Sequence, residues 1–529
     1  MIKKLSILVL LVISGMKGIT AQPVFTDVFP PEEYAARRLK VMEKIGDGVA
    51  VILGTTERPG EQPLRQANQF HYLCGVVEPR AILLIDGRTR RTTLFLSAGA
   101  ERRATMFGSA MMPGEAAAKA VGVDQVLKRE EFAGIAVKLA GEGRTFYAPF
   151  RPEVLGNASS SDVVSFAAQM KSDPWDGRQA RESIFIEKLK GLGTQVEVRD
   201  LDPILDYMRA FKSPREIKLL REATAITCEA ILEGMRYTRP GMFEYELQAP
   251  AEYVFKRYGS QGAAYFALIA TGENTLYSHY HKNTAVVKDG DLIQYDYAPD
   301  YKYYVSDVTR VYPANGKFTA WQREYYLIYL RLYQALMTSI QVHKAPREIV
   351  REAVVKMDRI MADYKFTDER IRKAAQTFVD RYRSFRGNSL GHSVGMEVHD
   401  VRLPGETLEP GQVFTIEPAM IIPELHYGIR LEDMDAEETE ARRTMMETDP
   451  PEHTHLRRLV NPPFSHHDVQ SYDRQIRSLA QEVIGAVYGK PQFDFVKEIA
   501  RTLPMRMLGK MLGVPDEDGL WLVQRGDAL

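Results

Sequence analysis

Four carboxylates and one imidazole carry the chemistry this chain could do. Asp296 ends the apolar run Leu292-Ile293-Gln294-Tyr295, and Asp307 follows eleven residues later in Ser306-Asp307-Val308-Thr309-Arg310. Gly391-His392-Ser393 supplies an imidazole, with His399 seven residues beyond it. Glu417 lies in Phe414-Thr415-Ile416-Glu417-Pro418 and Glu432 in Gly428-Ile429-Arg430-Leu431-Glu432. Acids are strongly disfavoured in apolar strands unless a positive partner or a metal meets them. Four carboxylates and an imidazole suit two divalent cations, and oxygen-rich ligation favours Mn, Co, Fe or Mg over a thiolate-type zinc site. Two such ions lower the pKa of a shared water and present hydroxide to a carbonyl. Taken singly, each acid reads as a turn or edge residue and each histidine as a core or surface one. Only the ordered set carries the reading.

Two regions of mixed helix and strand must position these groups. Pro31 to Ile45 predicts a helix, with Pro31 and the acids Glu32 and Glu33 at its start. The apolar runs Val49–Leu53, Ala81–Ile85 and Thr92–Leu96, broken by turn residues, predict buried strands. This first region is an expected α/β domain over 30–190. Pro214 opens a long amphipathic helix to about Met235, and a second is expected from Glu244 to Tyr258. Strands are expected at Ala264–Ala270, Asp291–Ala298, Tyr303–Val305, Gly411–Ile422 and Gly428–Glu432. Long helices are expected from Thr319 to Ile340 and from Arg347. This second, α+β unit, 214–434, holds the acids and His392. Residues 435–444 read as a charged junction without a sheet pattern, and 445–529 as all-α.

Composition excludes several classes. Among 529 residues, 69 Lys+Arg face 70 Asp+Glu, so the net charge of -1 gives no electrostatic reason to expect a nucleic-acid partner. Hydrophobic content of 45% and charged content of 26% are those of a globular chain, not a disordered one. Two cysteines cannot build a disulfide framework. Met1-Ile2-Lys3-Lys4, the apolar stretch Leu5 to Met16 and the small residues before Gln22 follow the order of a secretory signal peptide over 1–21. The mature protein is therefore expected to be exported, periplasmic or secreted, and free of the membrane after cleavage.

In combination, these motifs resemble the pita-bread metallopeptidases, and within them Xaa-Pro aminopeptidase (aminopeptidase P) and prolidase. The resemblance covers roughly 30–434 and implies a creatinase-like N-terminal α/β domain before an α+β pita-bread catalytic domain. It implies Asp296, Asp307, His392, Glu417 and Glu432 as ligands of two divalent ions, manganese first, with cobalt, iron, magnesium or zinc as alternatives. Asp307 and Glu432 would bridge the ions. The implied activity is hydrolysis of the Xaa-Pro bond at peptide N-termini by a metal-bridging hydroxide. His279, in Ser278-His279-Tyr280, matches the family's substrate-side histidine, and His399 the one that steadies the intermediate. Glu417 would shuttle the proton, and Arg430 and Asn388 would face the substrate. Asn388 is a departure, standing where many members carry a further histidine. Prolidase activity on dipeptides is the nearest alternative. A non-enzymatic binding module is disfavoured because no ligand is lost, and a homo-oligomer is left open.

From Met445 the chain resembles another family. Asp449-Pro450-Pro451-Glu452-His453-Thr454-His455-Leu456-Arg457-Arg458 is similar to an internal stretch of bacterial cytochrome P-450 monooxygenases. In that family the residues matching His453 and Arg457 touch haem propionates. No cysteine follows residue 228, so no thiolate is available for haem iron and no haem is expected. The tail is therefore expected to be a truncated fragment from a fusion or misassembled frame, one that could impair catalysis. Family members also continue past the last Glu with an apolar strand, and here Asp433-Met434-Asp435-Ala436 follows. That strand is expected to be lost, leaving its neighbour as an unpaired edge.

Overall fold

The computed structural model describes residues 28–57, 63–97, 99–107, 110–156, 158–436, 473–490 and 492–495, with 498, 499, 502 and 506. The signal-peptide reading of 1–21 and the haem-contact readings of His453 and Arg457 lie outside these residues, as does most of the junction.

Helix α1 (Pro31–Ile45) forms where its signals place it, with Pro31 at its first position, Glu32 and Glu33 in the first turn, and Gly46 at its C-terminus. Beyond it, a six-stranded mixed sheet is built from β1 (Val49–Leu53), β2 (Ile82–Asp86), β3 (Arg91–Leu96), β4 (Gln125–Lys128), β5 (Phe146–Ala148) and β6 (Val198–Asp200), in the order β4-β3-β2-β1-β5-β6. Strands β1 and β2 are almost wholly buried, which is why they read as unbroken apolar runs. Strand β6 lies past residue 190, so the sheet takes in more chain than 30–190. Helix α2 (Ser160–Ser172) has no buried residue, and α3 (Asp202–Ala210) leads out of the sheet.

The second half opens with α4 (Pro214–Tyr237), whose N-terminus is closed by a reciprocal Ser213–Glu216 capping box. Four small antiparallel sheets follow. One joins β7 (Gly262–Ala263) to β10 (Pro299–Tyr301) and β11 (Tyr304–Val305). A second joins β8 (Leu268–Thr271), β9 (Leu292–Asp296) and β12 (Thr309–Pro313). The other two are pairs: β13 (Val413–Ile416) with β16 (Asp433–Ala436), and β14 (Ala419–Ile422) with β15 (Tyr427–Arg430). Helices α5 (Ala320–Met337), α6 (Pro346–Asp363) and α7 (Glu369–Arg383) share one apolar cluster with residues of β13 to β15. Helix α4 shares another with β8, β9 and β12. The expected helix at Glu244 begins as a 3-10 turn, Glu244–Leu247, before Gln248–Arg257 turns α-helical.

Two expectations are corrected. The single strand expected over Gly411–Ile422 is two strands, parted at Glu417-Pro418. The strand expected to be lost is present: β16 pairs with β13 from Ile416↔Asp433 to Val413↔Ala436. Backbone pairing needs no apolar side chain, and Asp433 is held through its own charge by Arg310 at 2.6 Å and Tyr333 at 3.0 Å. Strand β13 is therefore not left as an open edge.

Met1–Glu438 form one compact unit and Thr439–Leu529 another. In the second, α8 (Asp473–Gly485) is helical, in line with the all-α reading of this stretch. Among the described residues no helix is long and apolar enough to cross a membrane.

Candidate metal centre

The end of β9, the turn before β12, the loop after α7, the break between β13 and β14, and the link from β15 to β16 meet in one place. They bring Asp296, Asp307, His392, Glu417 and Glu432 together. His392 Nε2 lies 3.1 Å from Glu417, 3.5 Å from Asp307 and 3.8 Å from Glu432. Ligand atoms of Asp307, His392 and Glu432 all fall within 4.8 Å of one another. Asp296 pairs with the buried Arg430, whose guanidinium also lies 3.5 Å from Glu417 and 3.9 Å from Glu432. Strand pairing sets this geometry: Asp296 is opposite Thr309 across β9 and β12, and Thr309 bridges to Glu432.

Burial and mutual repulsion dominate the electrostatics. Burial, then the charge of Asp296, pushes the Asp307 carboxyl up to about 8. Glu432 is pushed well above the carboxylate range by burial and then by Asp307. Asp296 is also raised, burial outweighing the attraction of Arg430. For Glu417, burial is outweighed by the His392 hydrogen bond and Arg430, which hold its carboxyl low. His392 is raised, because burial is overcome by Glu417 and Asp307. One oxygen of Glu432 is buried with no hydrogen-bond partner among the described residues. A cluster so crowded with acid, with an orphaned buried oxygen at its middle, fits divalent cations held by these five side chains.

The raised carboxyls fix the sign of a pH effect. In the unfolded chain they ionise near pH 4. In the folded, metal-free protein their protons are held up to about pH 8 in the case of Asp307. Stability is therefore full below pH 4 for these groups and is lost as pH rises through 5 to 8. Raised His392 acts in the same direction in this window. A metal displaces those protons, so binding strengthens with pH. In calorimetry, chelator-treated protein is expected to melt progressively lower from pH 5.5 to 8. Added Mn²⁺ is expected to raise the melting temperature more at pH 8 than at pH 5.5.

The remaining expected site residues separate. His399 is half-buried and its ring centroid is 4.2 Å from that of His392. Burial and the nearby His392 lower its pKa, against the pull of Glu417 and Asp162. His279 is exposed and close enough to His399 to act on it electrostatically. Asn388 is exposed and lines a crevice with Arg402, Pro404 and Thr407 that includes none of the five clustered residues. Arg430, expected to face the substrate, has its guanidinium buried among Asp296, Glu417 and Glu432, and it also donates to the Ser278 carbonyl at 3.3 Å, next to His279.

Three residues of this site carried no sequence signal. Tyr265, buried, donates its hydroxyl to Asp296 at 2.6 Å and Asp307 at 2.9 Å, orienting both. Thr309 donates to Glu432 at 2.9 Å. Asp162, at the start of α2, brings a carboxylate from the first region towards His399. Tyr265→Phe keeps the ring and removes the shared donor. It is expected to weaken Mn²⁺ binding by about 10- to 100-fold in a metal titration, the usual cost of losing an outer-shell partner.

Residues 218–436 match the model of metallopeptidase family M24, and residues 34–147 that of the aminopeptidase P N-terminal domain. Xaa-Pro aminopeptidase of Escherichia coli K12 is 31% identical over 428 residues, covering 76% of this chain and 91% of that protein. Human Xaa-Pro dipeptidase is 28% identical over 430 residues, covering 73% and 80%. The structure of E. coli aminopeptidase P with the inhibitor Pro-Leu superposes with a TM-score of 0.58 at 28% identity, over 77% of this chain and 92% of that one.

Proposed function

The chain belongs to metallopeptidase family M24 as a metallo-aminopeptidase of the Xaa-Pro aminopeptidase type, with an N-terminal α/β domain and a pita-bread catalytic domain, and from that premise we propose that it releases the first residue from peptides with proline second. The observation that carries the reading is the convergence of Asp296, Asp307, His392, Glu417 and Glu432 around an orphaned carboxylate oxygen. Family membership implies divalent metal; we assign two ions to these five ligands, with manganese first. When bound, they would supply an activated water and polarise the scissile carbonyl.

The chain's own residues do the rest. Tyr265 and Thr309 orient the ligand carboxylates. Arg430 compensates their charge, so the cluster survives folding without being fully neutralised by protons. Glu417 is the clustered acid whose carboxyl is held low, by its hydrogen bond to His392 and by Arg430. It is thus poised to take a proton from water and deliver it to the leaving proline nitrogen. Half-buried His399, kept largely neutral, donates a hydrogen bond where negative charge develops on the carbonyl oxygen. The exposed His279 lies on the solvent side, where the peptide enters. The tertiary Xaa-Pro amide offers no N–H and is conformationally restricted, which is why a dedicated site is needed.

Prolidase activity is the second reading, supported by the similarity to human Xaa-Pro dipeptidase. Incubating the metal-loaded chain with Xaa-Pro dipeptides and with longer Xaa-Pro peptides separates the two. Cleavage of the longer peptides is expected, and turnover of dipeptides alone would favour prolidase. No release from either would overturn both. We further read the enzyme as exported, on the order of residues 1–21. Mass measurement of the exported chain's N-terminus, expected near Gln22, tests that. The stretch from Met445 is read as an appended cytochrome P-450-like fragment without haem, so the purified protein is expected to have no Soret band.

A further inference from the structure

Helix α5 places three buried tyrosines, Tyr325, Tyr329 and Tyr333, four residues apart on one face. Their hydroxyls donate to the carbonyls of Met420 at 2.5 Å, Pro418 at 2.6 Å and Ile416 at 3.1 Å. Four helical residues rise about 6 Å and two strand residues about 6.6 Å, so the rungs match the extended segment on either side of Glu417.

The middle rung differs from its neighbours. Strands β13 and β16 pair up to Ile416↔Asp433, and β14 and β15 resume at Ala419↔Arg430. Both pairings share one register, which would set Pro418 opposite Leu431 and Glu417 opposite Glu432. The ladder is broken at those two pairs. Tyr329 stands in the break: its oxygen donates to Pro418 and accepts the Leu431 N–H at 2.8 Å. Proline offers no N–H of its own to this ladder. The Glu432 backbone is turned the other way, exchanging bonds with Thr309 on β12. Two carboxylates directly opposite on paired strands would repel.

We propose that the Tyr329 hydroxyl is an inserted spacer, taking the place of a direct backbone bond between Pro418 and Leu431, and that it holds Glu417 and Glu432 apart at the width a divalent cation requires. Tyr329 is thus a positioning residue that acts on metal binding through two ligands it does not touch. Tyr325 makes the same type of bond one turn away, at Met420, where the ladder is intact (Met420↔Ile429).

The spacer rests on the metal centre proposed above, and the two can fail separately. Mn²⁺ binding to the full chain is measured by equilibrium dialysis for wild type, Tyr329→Phe and Tyr325→Phe, with thermal unfolding of each. Both variants keep the ring and lose one buried hydroxyl. Tyr329→Phe is expected to weaken Mn²⁺ binding by about 10- to 100-fold or to lose one of the two ions. Tyr325→Phe is expected to bind within about threefold of wild type at a comparable melting temperature. Equal binding by wild type and Tyr329→Phe, or equal weakening in both variants, overturns the spacer while leaving the metal centre standing. A wild type that binds no divalent ion overturns both.

Discussion

Asp307→Asn is expected to reduce Xaa-Pro peptide hydrolysis at least about a thousand-fold, a loss of about 4 kcal/mol in transition-state stabilisation. The substitution is isosteric and keeps an acceptor for Tyr265, which donates to this side chain at 2.9 Å. It removes the anion that would face both His392 and the cation site, and an amide cannot replace a carboxylate as a bridge between two ions. Metal content is expected to fall with activity. Stability is expected to move the other way in the metal-free protein. Asp307 is raised to about 8 because burial and Asp296 oppose its charge, so a neutral side chain relieves that repulsion near pH 8. A variant that is inactive yet melts at or above the metal-free wild type separates loss of chemistry from loss of fold.

Glu397→Ala is expected to destabilise the first unit by roughly 3–5 kcal/mol in denaturant unfolding, because it breaks a buried ion network. The Glu397 side chain is fully buried and accepts from Arg209 at 2.8 Å, Asn68 at 3.2 Å, and the Ser160 N–H and hydroxyl at 2.8 and 2.6 Å. Arg209 also pairs with Asp400 at 2.5 Å, and Lys212 reaches the same carboxylate at 3.1 Å. All four groups bonded to Glu397 come from the first 210 residues, and His399 lies between the two acids in sequence. Removing Glu397 leaves one buried anion against two buried cations. It also frees the start of α2 from the loop that carries His399. Turnover is expected to fall along with stability, whereas Ser160→Ala, which spares the ion pairs, is expected to cost under about 1.5 kcal/mol.

How much of this was legible in the sequence depends on which force holds each part. Helix α1 was readable because the proline and acids at its start are local signals. Buried strands β1 and β2 were readable because burial on both faces leaves unbroken apolar runs. Strand β16 was not: Asp433-Met434-Asp435-Ala436 lacks both alternation and apolarity, and it exists through pairing with β13 and the Arg310–Asp433 bond. The four clustered acids stood out because acids at the ends of apolar strands are rare enough to demand a reason. Tyr265 and Tyr329 gave no such signal, since a tyrosine in an apolar run reads as core, and only the fold reveals where its hydroxyl goes. Arg430 was legible only in part, for a related reason. Its neighbour Glu432 marked it as part of the site, but its direction, inwards to three carboxylates, is a tertiary fact.

The most direct measurement is anomalous diffraction from crystals grown with Mn²⁺. Two manganese peaks enclosed by Asp296, Asp307, His392, Glu417 and Glu432 are the predicted result. An absence of peaks among these side chains at saturating Mn²⁺, or metal bound only elsewhere on the chain, would contradict it.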